Sequence, residues 1–527
     1  MPSHFRLFSL PPELRCEVYK HYSIVEGGYF YVCSADGFSG RLFQADGSPI
    51  ETSLMSTCKE VNREMEGMVF RFNTITFSTT TSTQLRRRAA DMEFAIREIH
   101  KIQEALCAVA GSAMTDQVQA QLSILYPQFI PLLSKLRNGT WLPWEIRFSY
   151  LDSISYGQSP SLYHEFCKDL LRALLRKCPG SVGRLEQYWI WADKWAAFAY
   201  GTGPSPGGVA RCELATWNFP SDVDLSSLQT WITVFGAWVR TISGEKMPNR
   251  NADRFNYRFS AAATAINFLQ SLPIKDRLQL RSVVLNEDRE SVALPESHGQ
   301  GLIQFCKANV ALRIERRVDL WRNILQHDPV NAKSLRGAWS YQSLNSNRII
   351  WNISQWMVEA SRLVATGMPE ASFKWVIDAG SSPQQATEMF KSAIQQGASW
   401  QDAWTQDQQK SFVVQYGSTR KLPGLMFTEF PHILRDVTAE RSIISCNFDV
   451  GEAWSFESQF PLHEYWTEEK WEEEWAAFSA TTWQTKPPLP EWQTLVRENL
   501  LQNDGSERRR RKPGKRKWRD YSYQLPT

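Results

Sequence analysis

The sequence lacks the features of a secreted or membrane-spanning protein. Its opening residues, MPSHFRLFSLPPELR, carry charges at Arg6 and Glu13 that interrupt any apolar core of a signal peptide. The longest uncharged tract, residues 117–134, contains Pro127, Pro131 and four glutamines, which a bilayer interior would not accept. We therefore expect an intracellular protein that is not secreted and does not associate with a membrane.

Paired cysteines and phosphate-binding loops are also missing. The nine cysteines are widely and irregularly spaced, no Cys-x-x-Cys pair occurs, and none of the eight histidines belongs to a His-Glu-x-x-His motif. This pattern predicts reduced thiols and argues against a standard zinc site. Neither of the glycine-rich phosphate motifs, GxxxxGK[ST] and GxGxxG, is present. We expect no bound metal and no cofactor.

Excess charge of one sign is confined to the C-terminal end. The chain of 527 residues has a net charge of +3. Residues 507–519 contain nine bases and one acid, so that segment holds +8 while the remainder is about −5. A mildly acidic body is a poor ligand for phosphate backbones, which require clustered lysine and arginine. Nucleic acid is therefore expected to bind through the tail only.

The basic tail, residues 503–527, is expected to be disordered. Its cationic cluster consists of Arg508, Arg509, Arg510, Arg511, Lys512, Lys515, Arg516 and Lys517. Such a run, broken by Pro513 and Gly514, is typical of segments that acidic grooves of nuclear import receptors bind. We rank nuclear import first and a nucleic-acid-binding arm second, and a solvated tail without a partner is the third interpretation.

Residues 81–502 are expected to form a mainly helical, tryptophan-rich body. Hydrophobic residues make up 43% and charged residues 22%, enough to build a core. Helical periodicity occurs near 161–177, 184–199, 225–239, 301–325, 348–365, 384–396 and 466–479. Two lobes are an alternative, divided near 201–208 or 243–251. The 22 tryptophans are interpreted chiefly as core anchors, with one exposed aromatic platform as the alternative.

One segment of the body, LPESHGQGLIQFC at 294–306, has the appearance of a motif. His298 stands beside a glycine-rich turn, ahead of a predicted helix that carries Arg313, Arg316 and Arg317. A catalytic role would require a pocket in which His298 faces a carboxylate or a thiol. The favoured interpretation is a structural histidine that caps a turn, followed by a solvated basic helix face.

Residues 1–80 predict a small mixed α/β unit with the order helix, hairpin, helix and strand. Ser9 and the following two prolines favour a helix start, and two Asp-Gly turns surround short aromatic runs near 29–43. A second helix is expected over 54–70, and the β-branched residues of 73–77 predict a strand. The fold class is therefore mostly α, with this small unit in front of a large helical body.

Within this unit, the segment FSLPPELRCEVY at 8–19 resembles the opening of F-box motifs. Together with 54–65 and 73–77, it resembles a fungal F-box-like family that has two Glu-x-Arg motifs, and the segments near His298 and at 312–317 look like stretches of large uncharacterised proteins of filamentous fungi. The chain departs from the family in two ways. Residues 28–50 form an expected hairpin insertion, and Glu64-Met65-Glu66 replaces the second Glu-x-Arg.

The resemblance implies that an apolar face of the first helix binds a Skp-type adaptor. That face would consist of Leu10, Pro11, Leu14 and Val18, and the body would hold a protein substrate for a cullin-type ubiquitin ligase. The alternative is that these residues pack inward without any adaptor.

The function expected from the sequence is a non-catalytic, F-box-like interaction protein of the nucleus. The runner-up is a nuclear scaffold or regulator that contacts nucleic acid through the tail. A weaker alternative is an enzyme with a site near His298.

Overall fold

The computed structural model describes residues 7–139, 157–178, 180–181, 215–226, 228, 257–326, 344–410 and 427–499. Within these ranges the protein is mostly helical, as expected, but its elements are organised around a sheet. The predicted helices at 184–199 and, beyond residue 228, at 225–239 lie outside the described residues. The basic tail also lies outside them.

Seven strands form the central sheet. They are β1 (Tyr29–Cys33), β2 (Gly40–Gln44), β3 (Thr74–Ser78), β4 (Ser282–Glu287), β5 (Arg313–Asp319), β7 (Phe373–Asp378) and β8 (Ile444–Cys446). Their spatial order is β2-β1-β3-β4-β5-β7-β8, and all neighbours are parallel except the β1–β2 hairpin. A separate two-stranded ladder joins β6 (Leu344–Asn345) to β9 (Thr482–Trp483).

The parallel strands lie side by side in the order in which the chain makes them. Right-handed crossovers between consecutive parallel strands place every connection on the same side of the sheet. The burial pattern agrees, because Val283 and Leu285 of β4 are in the main core while Asn286 is exposed. One face of the sheet is therefore covered. The described side chains of the other face are mostly exposed or half-buried, although Val376 of β7 is buried there.

The helices fall into three groups along the chain. The first group is α1 (Pro12–Ser23), α2 (Lys59–Glu64) and α3 (Met68–Phe72). The second group, between β3 and β4, is α4 (Thr83–Gly111), α5 (Asp116–Leu125), α6 (Ile130–Asn138), α7 (Pro160–Lys177), α8 (Ala261–Ser271) and α9 (Ile274–Arg277). The third group is α10 (Ile303–Ala308), α11 (Ser346–Ala365), α12 (Pro383–Met389), α13 (Gln395–Lys410), α14 (Phe430–Thr438), α15 (Phe456–Gln459), α16 (Glu468–Ser479) and α17 (Trp492–Asn499).

The N-terminal segment has the expected order of helix, hairpin, helix and strand, yet it shares the sheet with the body. The β3 strand pairs with β4 over its full length, from Thr74 opposite Ser282 to Ser78 opposite Asn286. The single helix expected over 54–70 is instead divided into α2 and α3. Gly67 adopts φ +75 between them, a left-handed conformation that ends a helix.

The helix predicted over 301–325 is wrong for most of its length. Only α10 is helical there, and residues 313–319 form the central strand β5. Arg316 was expected on a solvated face, but its side chain is fully buried. The segment alternates with period two, as a strand requires, because Ile314, Arg316 and Val318 point into the core.

Smaller clusters of buried side chains lie outside the main core. The helices α4 to α7 enclose their own core, which includes Leu106, Phe129 and Phe166.

Most of the described tryptophans of the predicted clusters are core residues, as expected. Trp356, Trp400, Trp404, Trp471 and Trp475 are buried, and Trp351 and Trp466 are half-buried. The cluster Trp189, Trp191 and Trp195 lies outside the described residues.

Candidate functional site

The candidate site is the outer surface of α1. This helix begins after Pro11, with Pro12 in its first turn where no intrahelical donor is needed, and it ends at Ser23. Its inner face contributes Tyr19 to a small core with Val61, Met65 and Met68. Burial raises the pKa of Tyr19 to about 12, so this phenol is neutral at pH 7.

An ion pair attaches α1 to α2. Arg15 Nε donates to Glu64 Oε2 at 3.0 Å, and Arg15 Nη2 donates to Glu64 Oε1 at 2.5 Å. The Nη1 group of Arg15 also donates to the carbonyl oxygen of Leu10 at 2.8 Å. The hydrogen bonds from Arg15 lower the pKa of the Glu64 carboxyl, so the pair is fully charged at neutral pH. This double contact fixes the rotation of α1 about its own axis.

That rotation places a charged residue inward and aliphatic residues outward. Arg15, Tyr19 and Ser23 recur every four residues and face α2 and α3. Leu14 and Val18 lie one position earlier in each turn, and their side chains are 53% and 43% exposed. Surface helices of globular proteins normally show the opposite arrangement, with the apolar stripe toward the core. The outer stripe is therefore free to contact another molecule.

The four residues predicted for adaptor binding are brought to this surface to different degrees. Pro11, Leu14 and Val18 are exposed, and Leu10 is half-buried beneath the short 3-10 turn Leu7–Ser9. Phe8 and Tyr22, which the sequence interpretation omitted, are also exposed and extend the stripe at both ends. We call the set Phe8, Pro11, Leu14, Val18 and Tyr22 the α1 face. The residues of the cationic cluster, 508–517, lie outside the described residues.

Glu64 was also missed as a functional residue. Its carboxylate pairs with Arg15, which is 49 residues away, and no sequence pattern indicated that contact. Arg15 thus supplies the cation and Glu64 the anion of the pair that joins α1 to α2. Tyr19 of α1 and Val61 of α2 belong to one small core. The apolar character of these two positions is the signal that α1 and α2 pack together, which brings Arg15 near Glu64.

His298 does not occupy the geometry that an enzyme would need. Its side chain is 1% exposed, Nε2 contacts the carbonyl oxygen of Ala293 at 2.8 Å, and Nδ1 contacts Ser260 Oγ at 2.7 Å. A carbonyl only accepts, so Nε2 carries the proton and Nδ1 accepts from Ser260. Burial, assisted by the charge of Arg316, lowers the pKa of His298 to about 3. The ring is therefore neutral, and both of its nitrogens are engaged by the protein.

The buried charges beside His298 also serve the fold. Glu287, at the end of β4, accepts from the backbone N–H groups of Ala261 and Ala262 at 2.8 and 3.2 Å, at the start of α8. Arg316 of β5 donates to the same carboxylate from Nε and Nη2, at 3.0 and 2.7 Å. A carboxylate at a helix N-terminus with an arginine partner is electrostatically satisfied. The group connects two strands with a helix and presents no free polar atom to a substrate.

Among the residues that the structure describes, no group of three or more His, Cys, Asp or Glu side chains could hold a metal ion. No helix in the described ranges is long and apolar enough to cross a membrane. Comparison with family models, with curated proteins and with solved structures gives no match. The functional argument therefore depends on the geometry of the α1 face.

Proposed function

We propose that this protein is a non-catalytic, F-box-like interaction protein that recruits a protein partner to a Skp-type adaptor. The observation that supports the proposal is the exposure of Leu14 and Val18 on a helix whose charged Arg15 is turned inward. An exposed apolar stripe at helical spacing fits a groove on a partner. Ubiquitination of the recruited protein by a cullin-type ligase is the outcome that this assembly would serve.

The docking step would bury aliphatic side chains that water now surrounds. Burying apolar surface releases roughly 25 cal/mol per Å², so side chains of the size of leucine and valine, each about half exposed, can contribute about 1 kcal/mol apiece. The Arg15–Glu64 ion pair holds the helix in one orientation before binding. A partner surface therefore meets a preformed stripe and avoids part of the entropic cost of ordering it.

The test is co-purification of the intact protein with a Skp-type adaptor from a fungal extract. The variant Leu14→Asp with Val18→Asp should lose the adaptor, because it places charges in the centre of the α1 face. The matched control is Ile124→Asp with Leu125→Asp, an apolar pair on α5 that is 81% and 58% exposed. The control should retain the adaptor, and all three proteins should show the same thermal unfolding.

Absence of the adaptor from the wild-type preparation, with purified adaptor added in excess, would contradict the proposal. Equal retention by the wild type and the α1 variant would also contradict it, because the contact would then lie elsewhere. Loss of the adaptor from both variants would indicate a general effect of surface charge.

A second part of the proposal concerns location in the cell. We infer that the cationic cluster at 508–517 directs nuclear import, because its charge of +8 contrasts with the −5 of the rest of the chain. Removal of residues 503–527 should abolish nuclear accumulation of a fluorescent fusion while leaving adaptor binding intact. The alternative function, a nuclear scaffold or regulator on nucleic acid, predicts instead a steep salt dependence of duplex binding that disappears with the tail.

A further inference from the structure

The polar face of the central sheet is a second surface, and its described side chains are accessible to a partner. We define the open face as a set of outward residues from four adjacent parallel strands: Thr74, Thr76, Ser282, Val284, Asn286, Arg313, Glu315, Arg317 and Lys374. Its exposed members are Asn286, Arg313, Arg317 and Lys374, and the other members are half-buried, whereas the outward Val376 of β7 is buried. Parallel sheets are ordinarily covered on both sides, so a parallel face with several exposed charges among its described residues is unusual.

The register of the sheet aligns one row of side chains across the strands. Phe30 of β1 lies beside Thr76, Thr76 beside Val284, and Val284 beside Glu315. Lys374 of β7 follows Glu315 at the end of the row. The row thus runs from an exposed aromatic residue, through small side chains, to a charged end. Four strand spacings separate its ends, a length of roughly 19 Å, which about six residues of extended chain would span.

The charged end of the row has a surplus of cations. Glu315 is already paired with Arg317. Arg313 donates to the carbonyl oxygens of Val310 and Leu312, at 2.7 and 3.1 Å, rather than to a carboxylate. Lys374 forms no hydrogen bond or ion pair with a described residue. Two exposed cations therefore remain available to an anionic group.

A groove of about 860 Å³ continues from this end of the row along the amino ends of β4, β5 and β7. Ser282, Arg313 and Lys374 line it, and the acidic residues Glu370 and Asp436 lie on its wall. A uniform polyanion such as nucleic acid would meet those acids and Glu315 as well as the cations. A peptide can place separate carboxylates against the cations alone, so mixed charge favours a polypeptide partner.

We propose that the open face, together with Phe30 and Val32 of β1, binds an extended peptide segment in which apolar and acidic residues are separated by about four to six positions. The apolar residues would contact Phe30 and its neighbour on the same strand, Val32, which is 53% exposed. The acidic residues would accept hydrogen bonds from Arg313 and Lys374. This inference rests on the proposed function, because it supplies the substrate-binding surface that a recruiting protein needs.

The experiment measures fluorescence anisotropy of the labelled peptide Leu-Leu-Ser-Ser-Ser-Glu-Glu-Glu against the full chain at low ionic strength. The comparison peptide, Ser-Glu-Glu-Leu-Leu-Glu-Ser-Ser, has the same composition, but none of its leucines lies four to six positions from a glutamate. The wild type should bind the ordered peptide more tightly. The variant Arg313→Glu with Lys374→Glu should weaken that binding by about tenfold or more, because both cations become repulsive. Both side chains are exposed, so the variant should fold.

The control variant is Lys59→Glu with Arg87→Glu, which reverses two exposed cations on helices. It should bind the ordered peptide within about twofold of the wild type. Equal binding of the two peptides, or an equal loss in both variants, would overturn the proposal. If the wild type binds a thymidine oligonucleotide more tightly than the ordered peptide, the open face belongs to nucleic acid instead. If the wild type is a dimer and the variant Arg313→Glu with Lys374→Glu is a monomer, the open face belongs to self-association instead. Since no adaptor is present, failure here is distinguishable from failure of docking at the α1 face.

Discussion

Glu287 and Arg316 show how much of the fold depends on single buried charges. Both side chains are essentially inaccessible, and each satisfies the other together with backbone groups of α8 and of the 3-10 helix Pro295–Leu302. A buried ion pair stabilises little relative to an apolar substitute, but removal of one partner leaves an uncompensated charge in the core. The position of Arg316 in a strand therefore depends on a residue in the neighbouring strand.

We expect Glu287→Ala to destabilise the protein by about 3–5 kcal/mol, because Arg316 would remain buried without a counter-charge. The matched control is Glu66→Ala, which breaks the exposed ion pair with Lys275. That control should change the denaturation midpoint much less than Glu287→Ala does, because solvent screens an exposed ion pair. Chemical denaturation followed by tryptophan fluorescence measures both. Equal midpoints for the two variants would show that Arg316 finds another partner.

The buried carboxyl of Glu359, at the contact between α7 and α11, should make the stability of the folded protein depend on pH. Its buried carboxyl accepts from the backbone N–H and the hydroxyl of Ser161, at 2.9 and 2.6 Å. Burial is the main cause that raises the pKa of Glu359 from 4.5 to about 7. The folded state then binds more protons than the unfolded state between these values, so this group makes stability fall as pH rises from about 4.5 to 7.

Glu359→Gln keeps the shape of the side chain and removes its titration. The thermal unfolding temperature of the wild type, measured from pH 4.5 to 8, should therefore decline more over that range than the temperature of the variant. The variant Glu26→Gln, at an exposed carboxyl that follows α1, serves as the control and should follow the wild type. Parallel pH profiles for Glu359→Gln and the wild type would contradict the assignment.

At the scale of elements, helical spacing predicted α7, α11 and α16 within a few residues, because apolar residues recur at helical spacing along each of them. The strand β5 could not be predicted in the same way. Its inward positions alternate Ile314, Arg316 and Val318, and a charged residue at an inward position conceals the period-two pattern. Glu287, 29 residues earlier, makes that arginine acceptable inside, and only the folded structure brings the two together.

Pro11, Leu14 and Val18 were named from the resemblance and are exposed, and their role in adaptor binding stays a prediction. The reason for their exposure was not predicted. Four apolar positions followed from the spacing and the resemblance, whereas the inward rotation of Arg15 depends on Glu64, which is 49 residues away. A double-mutant cycle of Arg15→Ala and Glu64→Ala should give a favourable coupling energy outside experimental error, since the pair is bidentate. Additive effects of the two substitutions would show that the packing of Tyr19 alone orients α1.

At the scale of the whole molecule, helical content was predictable and the sheet was not. Most of its strands are short and lie between long connections, so no run of alternating residues repeats along the chain. The parallel pairing is decided by contacts distant in sequence, such as those between β5 and β7. The open face was invisible for the same reason, because its members come from four separated segments.

The separate core of α4 to α7 predicts two cooperative units. Hydrogen exchange followed by mass spectrometry at increasing denaturant should show α5 and α6 losing protection together, at lower denaturant than β4 and β5. The reason is that α5 and α6 pack within the smaller cluster, whereas β4 and β5 lie in the centre of the main core. Simultaneous loss of protection in all four elements would indicate a single cooperative unit.

The pairing of β3 with β4 has a consequence for how the polypeptide could be divided. These strands are neighbours in the sheet although roughly 200 residues lie between them. A cut in that intervening chain would give one fragment with the α1 face and Phe30 of β1, and another with Arg313 and Lys374 of the open face. Each fragment would present an edge strand whose backbone groups the other satisfies. Association of the two fragments through the β3–β4 pairing would therefore bring the two proposed binding surfaces into one molecule. Binding of one fragment to the other would measure that assembly directly.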